Sequence, residues 1–438
     1  MRLFLTVATI LLLGAAAPER QASFADQAKA FTVGYVALNV EEFTLDMRER
    51  LTAVPGLARL DSQQRFFEEQ RTLFTAFDRD HLRGEERLLY DLIRYETDFQ
   101  LQRIALEQRW VNAGRPMPAH SLYDLPEHEA WYQLFVRRFT GTDITPQQVF
   151  EMGERETLRC RREIDRIRTE LGIADSATFQ RSLADDRFFL TDKQQVLDGF
   201  ARIDSTVRRH LGTFVAGVEV PPVQAMEWPD AGPNTPPGMY LAREDNALNA
   251  DVFQFNFYGG RYNSRAMDWI YLHEAIPGHH LQSTVRRAHP EHDLREWLFY
   301  PGNVEGWACY VEYYGDELGL YTDPYRRLGK WEWDLVRSVR LALDAGIHYY
   351  GWSHAQALAY WKQHIPGQDA IAEREVTRVT NWAAQALSYK VGADRLQRIR
   401  DEVRRRQGAA FNAARFHRAF LDLGQVPMTV AERELTGT

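Results

Sequence analysis

Through most of the chain, apolar residues recur every three to four positions. Leu88, Leu92, Tyr95 and Phe99 share one helical face, and Phe66, Phe67, Leu73 and Phe74 repeat more loosely. Residues 24–112 therefore read as packed helices. Thr145-Pro146 supplies an N-cap and a first-turn proline, which predicts a helix over 146–171 that stops at Gly172. Thr191 is expected to cap another helix running to about 211. At Gly217 the period changes. Prolines crowd 221–237, and short runs at 218–220, 239–241 and 252–258 predict strands, the last by its apolar–polar alternation. Gly259-Gly260 ends that strand, and Asn263 or Ser264 caps the helix that carries His273. From 263 onward the pattern is helical again, without internal repeats or long linkers. The expected fold is mainly α: one large, two-lobed helical domain over 18–438, with a small β-sheet at about 217–260 placed before an active-site core at about 261–395. An exposed edge of that sheet could hold an extended peptide.

Composition adds limits. The chain has 438 residues, 45% hydrophobic and 26% charged, with a net charge of −8. An acidic balance argues against a nucleic-acid binder, which carries a basic footprint. Residues 1–17 pair a charged start with a short apolar run and an Ala-rich end, which reads as a secretory signal peptide. No cysteine follows that run, so a lipid anchor is not expected. Export to the periplasm or beyond follows, without stable membrane insertion after cleavage. Cys160 and Cys309 are too few for a disulfide scaffold or a cysteine metal site.

The candidate chemistry lies in His273-Glu274-Ala275-Ile276-Pro277-Gly278-His279-His280-Leu281-Gln282. Zinc hydrolases place two histidines and a general base as H-E-x-x-H on one helical face. Here the fourth position after His273 is Pro277. In a regular helix His280 returns to the face of His273, roughly 10 Å along the axis. Pro277-Gly278, however, disrupts a helix, and a bulge of two residues would bring His279 into place instead, leaving His280 either to support the ligands from behind or to face substrate. A third ligand is needed. Glu305, about 25 residues beyond His279, is the first candidate, followed by Glu312; Asp293 and His292 rank lower. Arg340, Asp344 and His348 line one helix face, where the carboxylate can fix the imidazole tautomer. Tyr389 can donate to an oxyanion.

The chain resembles the bacterial domain-of-unknown-function 885 family. The likeness rests on the H-E-x-x-P-G-H run, Glu305-Gly306-Trp307-Ala308, Arg340 through His348 to Gly351-Trp352-Ser353, Gln385 through Gly392, and Phe416-His417 to Pro427, in that order. It covers roughly 120–430. The resemblance implies a helical fold related to the gluzincin metallopeptidases. It further implies one zinc ion held by His273, His279 and Glu305, Glu274 as general base, and His348 and Tyr389 as transition-state or substrate contacts. One departure stands out: the family commonly reads Pro-Gly-Gln-Ala where this chain has Ala383-Ala384-Gln385-Ala386. Loss of Pro-Gly is expected to straighten that helix start and move Tyr389.

The function expected is a zinc-dependent hydrolase, most naturally a peptidase with a metal-activated water. Its substrate is then a peptide, with His280 and Arg340 among its contacts and Arg337, Arg340 or Lys390 as charged anchors for a terminus. The competing expectations are an exported, non-catalytic protein binding peptides or cell-wall fragments on the same fold, and a zinc hydrolase acting on another amide bond.

Overall fold

A computed structural model of the chain describes residues 23–40, 45–288, 293–367 and 369–437. The leader expected at 1–17 and His292 lie outside them. The N-terminal third is α1 (Phe24–Ala37), α2 (Met47–Ala53), α3 (Leu57–Leu73), α4 (Glu85–Asn112) and α5 (His128–Thr140). The face of α4 read from the sequence, Leu88, Leu92, Tyr95 and Phe99, is buried, as are Phe67 and Phe74; Leu73 is exposed. Next come α6 (Pro146–Glu170), α7 (Ser176–Ser182) and α8 (Lys193–Phe214). A reciprocal capping box starts α6: Gln148 N–H donates to Thr145, and Thr145 N–H donates to the Gln148 side chain. The cap of α8 is Asp192 rather than Thr191, because its carboxylate accepts the Gln194 N–H at 2.8 Å.

The strands are short: β1 (Phe189–Leu190), β2 (Gln224–Glu227), β3 (Gly238–Leu241), β4 (Val252–Phe255) and β5 (Tyr262–Asn263). β1 pairs with β5. The larger sheet has the order β2-β4-β3, with β2 parallel and β3 antiparallel to β4, so β3 is an edge. Residues 218–220 are not a strand, and β4 stops at Phe255. There Asn256 turns the chain, its side chain accepting the Tyr258 N–H and donating to Thr235 O.

The C-terminal half is α9 (Met267–Glu274), α10 (His279–Ala288), α11 (Asp293–Glu296), α12 (Pro301–Val311), α13 (Pro324–His348), α14 (His354–His364), α15 (Asp369–Asn381), α16 (Leu387–Gln407), α17 (Ala413–Asp422) and α18 (Met428–Thr436). Every residue of α13 from Asp334 to His348 is buried. Its charged residues survive there because each finds a partner, as buried polar groups must. α12 crosses α16 at glycines. A Cβ on Gly306 would lie 2.7 Å from Gly392 Cα, and one on Gly392 would lie 2.1 Å from Gly302 O. Only glycine allows this approach, and it sets Glu305 of α12 beside Tyr389 of α16. Cys160 and Cys309 are buried free thiols. Among the described residues no helix is long and apolar enough to cross a membrane.

Candidate metal centre

The His-Glu segment is two helices, not one bulged helix. α9 ends at Glu274, and Ala275 leaves helical geometry at φ −99°, ψ −109°. The Ile276–Pro277 peptide is cis, and α10 starts at His279. The chain returns so close to the end of α9 that a Cβ on Gly278 would lie 1.8 Å from His273 O. The Trp307 indole N–H donates to Pro277 O at 2.8 Å, which fixes this turn to α12. The His273 and His279 rings consequently meet edge to face, with centroids 4.9 Å apart.

Glu305 closes the cluster. Its Oε2 lies 3.5 Å from His273 Nε2 and 3.5 Å from His279 Nε2. One ligand atom from each of the three residues falls within 4.8 Å of the others. Glu274 stands alongside: Oε1 is 3.9 Å from His273 Nε2, and Oε2 accepts the Tyr240 N–H of edge strand β3 at 2.9 Å. The far nitrogens are held too. His273 Nδ1 meets Glu312 Oε1 at 2.7 Å, and Arg337 donates to both Glu312 oxygens at 2.8 and 2.7 Å. His279 Nδ1 meets Gln282 Oε1 at 3.0 Å. Each Nε2 is thereby turned toward Glu305, the arrangement that metal-binding histidines require.

The donor set fits a divalent cation. Glu305 Oε2 is buried yet makes no hydrogen bond, and such an orphan calls for a partner. Burial pushes the Glu305 carboxyl up, but His273 and His279 together hold it well below the usual range. Burial lowers both imidazoles; Cys309, Glu305 and Glu312 outweigh it for His273, Glu305 for His279, and both end raised. Burial raises the Glu274 carboxyl against the pull of the same two histidines, which suits a proton acceptor poised nearer neutrality. A second grouping, His273, Cys309 and Glu312, has the spacing for an ion but not the chemistry. Arg337 already neutralises Glu312, and burial raises the Cys309 thiol.

The other residues singled out in the sequence fall in three places. Tyr389 joins the cluster, its ring parallel to that of His273 at 17° and 6.4 Å. Burial, then the Glu305 charge, raises its phenol and keeps it protonated. His280 does not face a substrate site. It is fully buried, its Nε2 meets Pro221 O at 2.9 Å, and its ring lies against Tyr240. His348 is likewise a buried core residue: Nδ1 accepts the Leu122 N–H at 3.2 Å and Nε2 donates to Val379 O at 2.9 Å. Those two partners, not Asp344, fix its tautomer. Asp344 instead accepts from Tyr132 Oη at 2.7 Å and from the Ala384 N–H at 3.0 Å. Arg340 is buried against Glu375. Loss of Pro-Gly has not straightened the start of α16. Ala384 holds the turn with φ +62°, tied down by Asp344. Sequence reasoning assigned no part to Trp307, Gln282 or the Tyr240 N–H. Glu312, a ligand candidate by its place in the sequence, instead supports His273 through Nδ1.

The cluster opens onto a cleft of about 830 Å³, lined by Tyr240, His279, Gln282, Phe299, Glu305 and Phe420 among others. Residues 108–435 match the model of a family described as bacterial protein of unknown function (DUF885). The chain belongs to the DUF885 family. No curated protein matches it. Two solved structures share its fold. One is described as the putative lipoprotein from Colwellia psychrerythraea: 22% identity, TM-score 0.67, covering 89% of this chain and 68% of that one. The other is described as a putative lipoprotein of unknown function from Shewanella oneidensis: 20% identity, TM-score 0.60, covering 93% and 82%. These likenesses show that the mainly helical fold is shared over more of the chain than residues 108–435.

Proposed function

We propose that this DUF885 protein is an exported, zinc-dependent peptidase of gluzincin type, its two lobes flanking the cleft. The observation that carries the reading is the convergence of His273, His279 and the unpartnered Glu305 oxygen, with the Glu274 carboxylate beside them. When bound there, zinc supplies Lewis acidity. The chain's own residues do the rest. Glu274, anchored by the Tyr240 N–H, takes a proton from the attacking water and returns it to the leaving amine. Tyr389 donates its phenolic proton toward the oxyanion that develops on the carbonyl. The free edge of β3 offers main-chain groups to an extended substrate. The leader-like residues 1–17 support export, as does the description of both structural relatives as putative lipoproteins.

Metal analysis and a mixed peptide library test this. Zinc should copurify at one ion per chain, and chelation should abolish hydrolysis until zinc is restored. Glu274→Gln should keep the metal and lose at least ~100-fold in rate. His279→Ala should lose the metal while His280→Ala keeps it. Full turnover in Glu274→Gln would sink the mechanism. Metal binding and peptide binding without any turnover would favour the non-catalytic binding protein.

A further inference from the structure

Beyond Tyr389 the chain assembles more positive charge than it neutralises. Arg340 on α13 and Arg374 on α15 both pair with Glu375. Arg340 meets Oε2 at 2.7 Å through Nε and 2.5 Å through Nη2, and Arg374 meets Oε1 at 3.2 and 2.8 Å. Both carboxylate oxygens are therefore engaged. Arg378, one turn further along α15, has no carboxylate within ion-pair distance among the described residues. It is only half-buried, and its single hydrogen bond runs from Nη2 to Gln385 Oε1 at 2.8 Å. Gln385 stands one turn before Tyr389, where α15 gives way to α16. The segment that sets Tyr389 against the His273 ring therefore also carries the hydrogen-bond partner of an arginine with N–H groups to spare. Arg340 stands behind it, its guanidinium over the half-buried Trp333 ring at 5.5 Å. Arg378 and Arg340 repel each other: burial and then the Arg378 charge lower the Arg340 guanidinium to about 10. Arg374 also reaches Asn234 O at 3.4 Å, so the segment leading into edge strand β3 approaches the same patch.

We infer that Arg378, backed by Arg340, receives the terminal α-carboxylate of the substrate, so that the enzyme removes residues from peptide C-termini. The inference rests on the peptidase reading of the cluster and names its substrate class. A planar guanidinium with two unused donors matches a carboxylate in the bidentate manner. An extended residue spans about 3.5 Å. A terminus held past Tyr389 leaves the scissile carbonyl upstream of it, on the side of the cluster. Gln385 acts as a positioning residue: its side-chain oxygen accepts from Arg378 Nη2 and holds that guanidinium in place.

The test uses the full-length, zinc-loaded protein and one peptide in four forms: free or amidated C-terminus, each with a free or acetylated N-terminus. The free-carboxylate forms should be cut from the C-terminal end with kcat/KM at least ~30-fold above the amides, and N-acetylation should change little. Arg378→Gln should lower turnover of the acids alone and bring acid and amide close to parity at unchanged zinc content. Arg378→Lys should recover part of the preference. Binding provides an arm independent of turnover. Glu274→Gln should bind the free acid at least ~10-fold tighter than the amide by calorimetry, and adding Arg378→Gln should abolish the difference. Equal handling of acid and amide, loss of cleavage on N-acetylation, or an equal effect of Arg378→Gln on both forms overturns the inference. Absence of all turnover with the binding preference intact overturns the peptidase reading alone.

Discussion

At the scale of single residues, the proposed zinc centre would depend on groups that never touch the ion. Glu312 fixes the ring of His273 through Nδ1, and Arg337 fixes Glu312. Such supporting partners are typically worth 10–100-fold in metal affinity. Glu312→Gln keeps the shape and loses the charge, so zinc affinity should fall by about that factor, read by competition with a chromophoric chelator. The change also leaves the buried Arg337 without its anion, which costs stability in its own right. A thermal scan in excess chelator separates that loss from the loss of metal. Unchanged affinity in a folded variant would reduce Glu312 to a packing role.

At the scale of elements, two turns decide the site. Between α9 and α10, the glycine of Pro277-Gly278 is forced by contact with His273 O. Between α15 and α16, the corresponding freedom is missing, and Ala384 sits at φ +62°. A left-handed alanine is strained by roughly 1 kcal/mol, which glycine removes. Ala384→Gly should therefore stabilise the protein by up to about 1 kcal/mol in urea unfolding, since the Asp344 carboxylate keeps the Ala384 N–H in place. A loss of stability would mean that glycine's extra unfolded-state freedom outweighs the relief of strain. These turns also show what the sequence could convey. The grouping of His273, His279 and Glu305 was legible because a metal cluster of the proposed kind calls for those residue types in that order. The caps at Thr145 and the buried face of α4 were legible because both are local. The roles of Arg340 and His348 were not. A polar face on a helix reads the same whether it lines a cleft or meets Glu375, Leu122 and Val379 across the core. Arg378 and Gln385 gain meaning only when α15 and α16 fold back beside α13.

For the whole molecule, the polar groups buried around α13 and α17 set how stability follows pH. His348 and His417 are each lowered to about 4, first by burial and only partly offset by hydrogen bonds to backbone carbonyls. The unfolded chain protonates both near their ordinary 6.5, before the folded chain does. As pH falls from 7 toward 4 the unfolded state therefore binds more protons, and stability drops. From 7 to 5 each histidine contributes a loss of about 2 kcal/mol. Asp344 works in the opposite direction. Burial raises it to about 7 against the Tyr132 and Ala384 hydrogen bonds, so over the same range the folded state takes up the extra proton and gains about 2 kcal/mol. The two trends can be separated by comparing urea midpoints at pH 7 and pH 5. His348→Gln should make the acid loss shallower by about 2 kcal/mol, and Asp344→Asn should make it steeper by a similar amount. Measurement in excess chelator keeps protonation of the metal ligands from entering the comparison. If both variants shift the profile the same way, the buried network is not the source of the pH dependence.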